Sequence, residues 1–534
     1  MRRPAILALV LLAAASPSAR QQPTFRSSVR LVNVTVIAHD SAGRPVTNLT
    51  AADFQVFEDG REEKIEAFAI DTDRPVQTAT GAAQADPTLA ANIFTNRRQT
   101  RDGGGVTVVL FDRLNSSWED QKRARDQILK LLAKAQPRDR IALYVLESDT
   151  ITVLHDFTSD ASRLIAVLNR HLGTTSVELA ASEEKTPEFL RTGLADQDAD
   201  TAAWLERTQQ MVSETFLRRR AELTTDALEG IANHLAGVPG RKNLVWVSAA
   251  FPLVIATDHG PLVMNKEVNR ATRAINTADI AVYPVDIRGL VPALNPTTAT
   301  ATTTKGARPA PVFTAMAGVA ANQDTMETIA QATGGRAYLN TNAIGESVRR
   351  AIEDSRVAYV LGYRSSRPEN DNRFRNITVK VNRSGVRLRH RNGYTASSVP
   401  VSDSRTRLNA LQRVLMSPLE ASSVALAAQV SRMGKEGTVV VRFDPSALTW
   451  EQKKEVRESS IDVLIAQSLP DGKYVTIKET TVNLTADPER YQQMMEDGVT
   501  LSSNFTTIPD AYRLHVVVSD VASQSVGSLI IPIK

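Results

Sequence analysis

The sequence predicts a doubly wound α/β domain with β-rich domains on either side of it, and three observations support this prediction. Between residues 106 and 365, short apolar runs alternate with amphipathic helical segments, as in α/β folds. Residues 24–73 and 404–534 instead carry short strands separated by turn residues, a pattern typical of β-rich domains. At 534 residues the chain is also long enough for about three domains.

The central strand of the α/β domain is predicted at Val106–Phe111, an unbroken apolar run rich in β-branched residues. Such a run suits a parallel strand that is covered on both faces. It ends at Asp112, and Asn115, Ser116 and Ser117 follow before helix-forming sequence begins. Open α/β sheets bind their ligands at the carboxyl ends of their strands. We therefore expect the functional face of the domain here.

Residues 1–20 have the pattern of a secretory signal peptide, because Arg2 and Arg3 precede an apolar run from Ala5 to Ala15. This run is shorter than the roughly 20 residues that cross a bilayer, and no later segment is long enough. An uncleaved N-terminal helix or anchor is the alternative. Because the chain has no cysteine, a lipoprotein anchor and disulfides are excluded. We expect a secreted or periplasmic protein.

The formal charge gives no reason to expect nucleic-acid binding. Its value is +4, and it falls to +1 when Arg2, Arg3 and Arg20 of the predicted signal peptide are removed. The sequence has no long basic run with interleaved aromatic residues. We expect a protein partner and no nucleic acid, and the sequence leaves the identity of the partner and the oligomeric state open.

The chain begins, after the leader, with a predicted small β domain at residues 24–73. Its first strand is indicated by Val32, Val34 and Val36, which alternate with other residues and share one face. Residues 74–105 are rich in Ala, Thr, Gln, Asp and Gly without periodicity, which predicts a linker.

Residues 106–365 carry the elements of the predicted α/β domain. The predicted strands are Val106–Phe111, Arg140–Glu147, Ile151–Leu154, Asn243–Ser248, Ile280–Val285, Gly335–Leu339 and Val357–Tyr363. The predicted helices are Glu119–Lys134, Ala161–Leu172, Thr225–Ala236, Leu262–Thr277, Asp324–Thr333 and Ala343–Asp354. Residues 173–219 are polar and acid-rich, which predicts an insertion into this domain.

Two further β-rich segments follow the α/β domain. Residues 371–395 predict a hairpin, and because an isolated hairpin is marginally stable in water, we expect it to complete the N-terminal β domain. A helix at Ser404–Leu415 then leads into a predicted β-sandwich, so that one C-terminal domain spans residues 404–534. Its candidate strands are Val424–Val430, Thr438–Phe443, Ser460–Gln467, Thr476–Leu484, Tyr512–Val518 and Ser528–Ile533.

Several stretches together resemble one known family. They are LTAADFQVFEDG, FDRLNSS after the central strand, PGRKNLVWVS, AVYPVDIRGL, and YVLGYRSS followed by FRNITVKVNRSGVRLRHRNGY. In content and order they resemble the VWFA-related domain family of bacterial secreted proteins, over roughly residues 25–395. The resemblance implies a Rossmann-like von Willebrand factor A-type fold with helices on both faces of the sheet. It also implies a module that binds a ligand and is not an enzyme.

The same resemblance implies a metal-ion-dependent adhesion site. In that superfamily an Asp-x-Ser-x-Ser motif at a strand end, a threonine from a second loop and an aspartate from a third loop hold the ion. Asp112 and Ser116 occupy the first and last positions of the motif. Leu114 stands where the middle serine should be, and Asn115 beside it supplies an oxygen only if the loop rearranges. Hard oxygen ligands of this kind suit Mg²⁺ or another divalent cation.

The other two positions of the adhesion site depart further from the family's pattern. Thr224 and Thr225 lie near the threonine loop, although strict spacing puts Glu222 at the ligand position. Where the third loop should carry an aspartate, the sequence has Ser248-Ala249-Ala250. The resemblance therefore implies a degenerate metal site. The alternative from the residues alone is that Asp112 bonds loop amides or caps the following helix.

The sequence shows no catalytic motif. A zinc-protease helix, a Gly-x-Ser-x-Gly elbow and a Walker phosphate loop are absent, and the seven histidines are scattered. We therefore expect a secreted or periplasmic interaction module of the adhesion type. Its predicted partner-binding surface comprises Asn115, Ser117, Ser248 and Phe251. The alternatives are a metal-dependent hydrolase that uses Asp112 and a structural scaffold of the cell envelope.

Overall fold

The computed structural model describes residues 31–72, 92–97, 105–136, 139–148, 150–171, 176–183, 199–249, 251, 254–257, 260–289, 323–354, 356–367, 373–395 and 403–533. The predicted signal peptide lies outside these residues, as do 74–91 and 98–104 of the predicted linker and 173–175 and 184–198 of the predicted insertion.

The N-terminal β domain begins with four strands: β1 (Val32–His39), β2 (Phe54–Glu58), β3 (Arg61–Glu63) and β4 (Ile65–Thr72). Alternate side chains of β2 are buried, which is the pattern of a strand with one face on a core. β2 and β3 pair around a two-residue turn in which Asp59 and Gly60 both have positive φ. Such a turn matches the right-handed twist of the strands that it joins.

The predicted linker is not a linker throughout, and this prediction is corrected. Residues Ile93–Thr95 form β5, which pairs antiparallel with a strand of the C-terminal domain at Leu426–Met433. The buried side chain of Asn96 fixes this crossing, because its Nδ2 donates to the carbonyls of Ala421 and Val424 at 2.6 and 2.9 Å. A strand of three residues is too short to show periodicity, so the sequence did not reveal it.

The α/β domain follows. Its strands are β6 (Val106–Asp112), β7 (Arg140–Leu146), β8 (Ile151–Thr158), β9 (Lys242–Ser248), β10 (Val254–Thr257), β11 (Gly260–Val263) and β12 (Ile280–Asp286). Its helices are α1 (Trp118–Leu132), α2 (Ala161–Arg170), α3 (Val177–Glu183), α4 (Ala199–Leu235), α5 (Asn265–Thr277), α6 (323–333) and α7 (Ile344–Glu353).

The main sheet of this domain has the strand order β12-β9-β6-β7-β8. Its first four strands are parallel, and the edge strand β8 is antiparallel to β7. Every residue of β6, β9 and β12 is buried, as expected for parallel strands with helices on both faces. The predicted strand at Gly335–Leu339 is reduced to one bridge, between Tyr338 and Val285. We call the edge at which β6, β7, β9 and β12 end the carboxyl edge.

Two apolar cores lie on opposite faces of this sheet because successive side chains of a strand point in opposite directions. Leu110 of β6 packs in one core with α4 and α5, and Val109 packs in the other with α1, α2 and α7. These helices hold the sheet rigid, so the loops at its carboxyl edge begin from fixed positions.

Helix α4 is much longer than predicted. The sequence predicts a helix at Thr225–Ala236 after an insertion, whereas one helix runs from Ala199 to Leu235 without a break. No glycine or proline interrupts the sequence before Gly230, so nothing ends the helix earlier. Among the residues that the structure describes, no helix combines the length and the apolar character needed to cross a membrane.

The first part of α4 projects beyond the carboxyl edge. Arg220 contacts Asn115 at that edge, and Lys242 at the opposite edge contacts the carbonyl of Val238 just after the helix. Residues 220–235 therefore span the sheet, and the 21 residues before them extend about 30 Å further. We call residues 199–219, together with α3 that packs on them, the arm.

The chain returns from the α/β domain to the N-terminal β domain with β13 (Val357–Tyr363), β14 (Phe374–Val381), β15 (Arg387–Arg389) and β16 (Gly393–Thr395). β13 lies between β1 and β4, so its predicted place in the α/β domain is wrong. A buried apolar strand after a helix looks the same in sequence whichever sheet receives it. The segment 371–395 also differs from the predicted hairpin, because β14 pairs with β16 and β2 while β15 pairs with β1.

A buried carboxylate joins the two sheets of this β domain. Glu58 is fully buried and accepts hydrogen bonds from the hydroxyls of Tyr363 and Tyr394 at 2.8 and 2.9 Å. It also accepts from Ser365 at 2.6 Å and pairs with the buried Arg375 at 3.1 Å. All its lone pairs are used, which is the condition under which a charge can be buried.

The C-terminal domain contains α8 (Ser404–Met416), β17 (Leu426–Met433), β18 (Glu436–Phe443), β19 (Glu451–Lys453), β20 (Val456–Ser468), β21 (Tyr474–Ala486), α9 (Pro488–Asp497), β22 (Val499–Thr506), β23 (Arg513–Asp520) and β24 (Val526–Pro532). One sheet has the order β22-β18-β17-β5, and the other the order β19-β20-β23-β24 with β21 beside β20. Residues of both sheets share one apolar core. The sequence predictions missed β19, β22 and α9.

The buried His515 predicts how this domain responds to acid. Its Nε2 lies 3.0 Å from Ser468 Oγ, and burial, followed by the charge of Arg513, lowers its pKa to about 4. The unfolded chain takes up this proton near pH 6.5, so the stability is lost as the pH falls from about 6.5 towards 4. Between pH 7.5 and 5.0 we expect a loss of about 2 kcal/mol in the free energy of unfolding.

The loss is measured by urea unfolding at the two pH values. Hydrogen exchange of the β20 and β23 peptides reports the unfolding of this domain. His515→Gln should remove most of the difference. The same change at His155, on β8 of the α/β domain, should leave it in place. An unchanged pH dependence in His515→Gln would assign the effect to other groups.

Candidate functional site

Strand β6 delivers Asp112 to the carboxyl edge, and the side chain is fully buried there. Four donors surround its carboxylate. The backbone N–H of Asn115 donates to Oδ1 at 3.0 Å. Asn115 Nδ2, Trp246 Nε1 and the Ser248 hydroxyl donate to Oδ2 at 2.9, 3.0 and 2.7 Å. Oδ2 therefore accepts three hydrogen bonds and Oδ1 accepts one, all from groups of its own chain.

The amide of Asn115 lies between the two groups that a cation would have to bridge. Its Nδ2 donates both to Asp112 Oδ2 at 2.9 Å and to Thr224 Oγ1 at 2.8 Å. Thr224 Oγ1 in turn donates to the carbonyl of Arg220, one helical turn earlier, at 2.8 Å. The nitrogen thus occupies the space between the aspartate and the threonine.

Arg220 completes the network from the other side. Its Nε donates to Asn115 Oδ1 at 3.1 Å, and its Nη1 donates to Ser182 Oγ at 2.8 Å. The side chain is buried, with 3% of its surface exposed. A buried carboxylate and a buried guanidinium are thus joined through one amide, an arrangement that avoids an uncompensated internal charge. Since Ser182 belongs to α3, the same network reaches the arm.

Ser116, the last position of the motif, and the adjacent Ser117 both bind backbone amides. Ser116 Oγ accepts from the N–H of Ala249 at 3.2 Å, which ties the loop after β6 to the end of β9. Ser117 is the N-cap of α1, and its Oγ accepts from the N–H of Asp120 at 3.2 Å. Both contacts satisfy amides that would otherwise be unpaired at an element end.

These residues do not fit a divalent cation. Mg²⁺ needs oxygens with free lone pairs, whereas Asp112 Oδ2 already accepts three donors and the Asn115 Nδ2 nitrogen lies between this oxygen and Thr224. Burial raises the pKa of Asp112, and the four donors oppose that rise. Within the described ranges, no group of three or more His, Cys, Asp or Glu side chains is arranged to hold a metal ion.

The structure brings together most of the predicted site residues and leaves two of them apart. Thr225 turns away from the network, because its Oγ1 donates to the carbonyls of Ala221 and Glu222 within α4. Phe251 is fully buried and packs edge-on against Trp246, so its predicted role as an exposed contact is wrong.

The predicted partner-binding surface needs the same correction at two more positions. Asn115 is 1% exposed and Ser248 is 0% exposed, since both are held inside the network around Asp112. Of the four residues predicted for this surface, Ser117 alone is partly exposed. Polar side chains at a strand end suggested a surface, but their hydrogen bonds are internal.

Sequence reasoning missed two members of the network. Trp246 lies opposite Leu110 in the parallel pairing of β6 and β9, so its indole reaches the end of the neighbouring strand. Its place in the run NLVWVS, two residues before the strand ends, was the available signal. Arg220 follows Arg218 and Arg219, and nothing in the sequence distinguishes it from these two exposed residues.

Large apolar side chains are exposed on α1 and along the arm, both of which begin near this network. Eleven large apolar side chains are exposed among the described residues, and five of them belong to the start of α1 or to the arm. The five are Trp118, Val177, Trp204, Met211 and Val212, with 48%, 71%, 60%, 67% and 45% of their surfaces exposed. Val177 is near the edge because the preceding Ser176 donates to the carbonyl of Leu114. These five side chains are therefore spread over the start of α1 and the length of the arm.

No protein-family model matches this sequence, and no curated protein matches it. Among solved structures, the SpRpn10 VWA domain aligns with 46% of this chain and 95% of its own, at 11% identity and a TM-score of 0.22. The TFIIH p34 N-terminal domain aligns with 46% of this chain and 96% of its own, at 12% identity and a TM-score of 0.21. The human COPII-coat protein Sec24c aligns with 86% of this chain and 48% of its own, at 10% identity and a TM-score of 0.17. Likenesses at this level assign neither a family nor a function.

Proposed function

We propose that this chain is an exported protein-interaction module built on a von Willebrand factor A-type domain that works without a metal ion. One observation carries the proposal. The polar groups at the carboxyl edge are bonded to one another, while the surface beside them exposes large apolar side chains. Such an edge offers contact area to a protein, while its buried carboxylate is engaged by donors of its own chain.

Binding is favoured over catalysis by the state of the polar groups. A nucleophile or general base must reach its substrate, and Asp112 and Ser116 have no exposed surface. The metal-dependent hydrolase that uses Asp112 is therefore the weaker proposal.

Export is proposed from the leader alone. Arg2 and Arg3 before the apolar run Ala5–Ala15 support it.

Site-specific photo-crosslinking in the source cell tests the contact surface. We place p-benzoylphenylalanine at Trp118, at the exposed start of α1, and at Lys134, which is exposed just beyond the other end of the same helix. We expect a defined crosslinked protein from position 118 and none of that mass from position 134. Identical products from both positions would contradict the surface assignment.

A further inference from the structure

The arm carries an apolar stripe on the side that faces away from α3. Trp204, Thr208, Met211 and Thr215 follow the spacing i, i+4, i+7, i+11, which keeps them within an arc of about 60° on a helix. Ser213, whose hydroxyl donates to the Ser182 carbonyl of α3, lies on the opposite side. α3 therefore does not cover the stripe.

The residues beside the stripe differ between its two flanks. Arg207 and Glu214 lie seven residues apart on one flank, and Leu205 and Val212 lie seven apart on the other. In the described part of the chain, neither Arg207 nor Glu214 forms an ion pair; Arg207 Nε donates to the Ala203 carbonyl, and Glu214 accepts from Gln210. One flank thus offers a positive and a negative charge, and the other offers two apolar side chains.

We propose that the stripe is occupied by the same stripe of a second copy of this chain, in an antiparallel helix pair with two-fold symmetry. This inference rests on the proposed function, since it names a partner for the arm. In an antiparallel pair, residue numbers rise along one helix as they fall along the other, so residues that face each other have a constant sum. Pairing Thr208 with Met211 of the second copy therefore also places Trp204 opposite Thr215. A large side chain then meets a small one in every layer of the seam, as packing requires.

The same register determines which residues of the two flanks face each other. Arg207 faces Glu214 of the second copy, and symmetry forms this pair twice. On the other flank Leu205 faces Val212, also twice. The register was chosen from the stripe residues alone, and it also produces two ion pairs and two apolar pairs on the flanks.

A parallel pair does not reproduce this fit. It would stack Trp204 on Trp204 and Met211 on Met211, and it would place Arg207 near the apolar Val212 of the other helix. In that arrangement Glu214 would face Arg219 of the other helix, but Arg207 would face no opposite charge. The antiparallel arrangement is the one in which all eight residues find a complementary neighbour.

Sedimentation equilibrium of the full chain tests the proposal, with exchanged charges as the diagnostic. Arg207→Glu alone and Glu214→Arg alone each put like charges opposite one another, and we expect each to weaken self-association by about 10-fold or more. In an equimolar mixture of the two variants every flank pair is again of opposite sign. We expect the mixture to form mixed dimers with close to the original affinity.

The seam itself is tested with Trp204→Glu, for which we expect self-association to weaken by about 100-fold. Arg219→Glu is the matched control, since it changes charge at an exposed position of the same helix that is further from the centre of the seam. Unchanged circular dichroism in each variant shows that the fold is intact.

Three outcomes would overturn the inference. They are a chain that stays monomeric at all accessible concentrations, single charge variants that associate like the original chain, and a mixture that associates no better than either variant alone. The photo-crosslinking at Trp118 does not depend on this seam. A monomeric chain that still crosslinks a defined protein from position 118 would refute the dimer and leave the proposed function standing.

Discussion

Asp112→Ala is expected to destabilise the α/β domain by about 4 kcal/mol. The change removes the shared acceptor of four buried hydrogen bonds, from Asn115, Trp246 and Ser248, and it removes the buried carboxylate that the Asn115 amide joins to the guanidinium of Arg220. Urea unfolding followed by hydrogen exchange of the β6 and β9 peptides measures the loss. Asp126→Ala, the same substitution at an exposed position of α1, should change the free energy of unfolding by less than about 0.5 kcal/mol.

The effect of divalent cations on thermal stability is the second part of this test. Thermal unfolding of the original chain should be the same in EDTA and in Mg²⁺, Mn²⁺ or Ca²⁺. A cation at about 100 times its dissociation constant would add about 2.7 kcal/mol to the domain that binds it, which is easily detected. A rise in midpoint with Mg²⁺ that disappears in Asp112→Ala would restore the metal site and refute the metal-free proposal.

Arg220→Met is expected to cost about 3 kcal/mol and to loosen the arm. The methionine keeps an unbranched apolar chain but leaves Asn115 Oδ1 and Ser182 Oγ without their donors. Because Ser182 lies in α3, hydrogen exchange of Val177–Glu183 should become faster by more than that of β7. This difference separates a lost anchor from a uniform loss of stability.

Arg219→Met is the matched control for Arg220→Met, since its side chain is exposed and next in sequence. It should leave both the free energy of unfolding and the exchange of α3 unchanged. A double-mutant cycle of Arg220→Met with Asn115→Ala should give a coupling energy of at least about 1 kcal/mol. Equal losses from Arg219→Met and Arg220→Met, or no coupling, would show that the guanidinium anchors nothing.

The sequence predicted where the candidate site lies, but it did not predict that the polar side chains there are buried and bonded to one another. An apolar run that ends in Asp112 is a local signal, and the structure puts this residue at the carboxyl edge as expected. Two of its donors come from the nearby Asn115, but the other two come from β9 and the Asn115 amide is held by α4, both more than 100 residues away in the chain. Whether a polar side chain at a strand end faces solvent or a distant donor is decided by tertiary packing, which local pattern does not report.

Predicting the fold was limited in the same way, because local sequence pattern does not report contacts between distant segments. The parallel strands β6, β9 and β12 were found because burial on both faces leaves unbroken apolar runs. The sheet that receives β13 and the strand pairing of β5 depend on contacts with residues more than 300 positions away. The length of α4 could have been predicted from its lack of breakers, but its polar composition favoured an irregular insertion.

The place of β13 fixes the order in which this chain can fold. Tyr363 pairs with Val32, so the first strand of the N-terminal domain waits for a partner that emerges more than 300 residues later. The α/β domain is complete before then and can fold on its own timescale, whereas β1 and β4 keep open sheet edges throughout synthesis or export. Truncation anywhere before residue 395 would therefore remove β16 or more and leave edges free to pair with other chains. The β domain at the start of the chain is among the last parts to close.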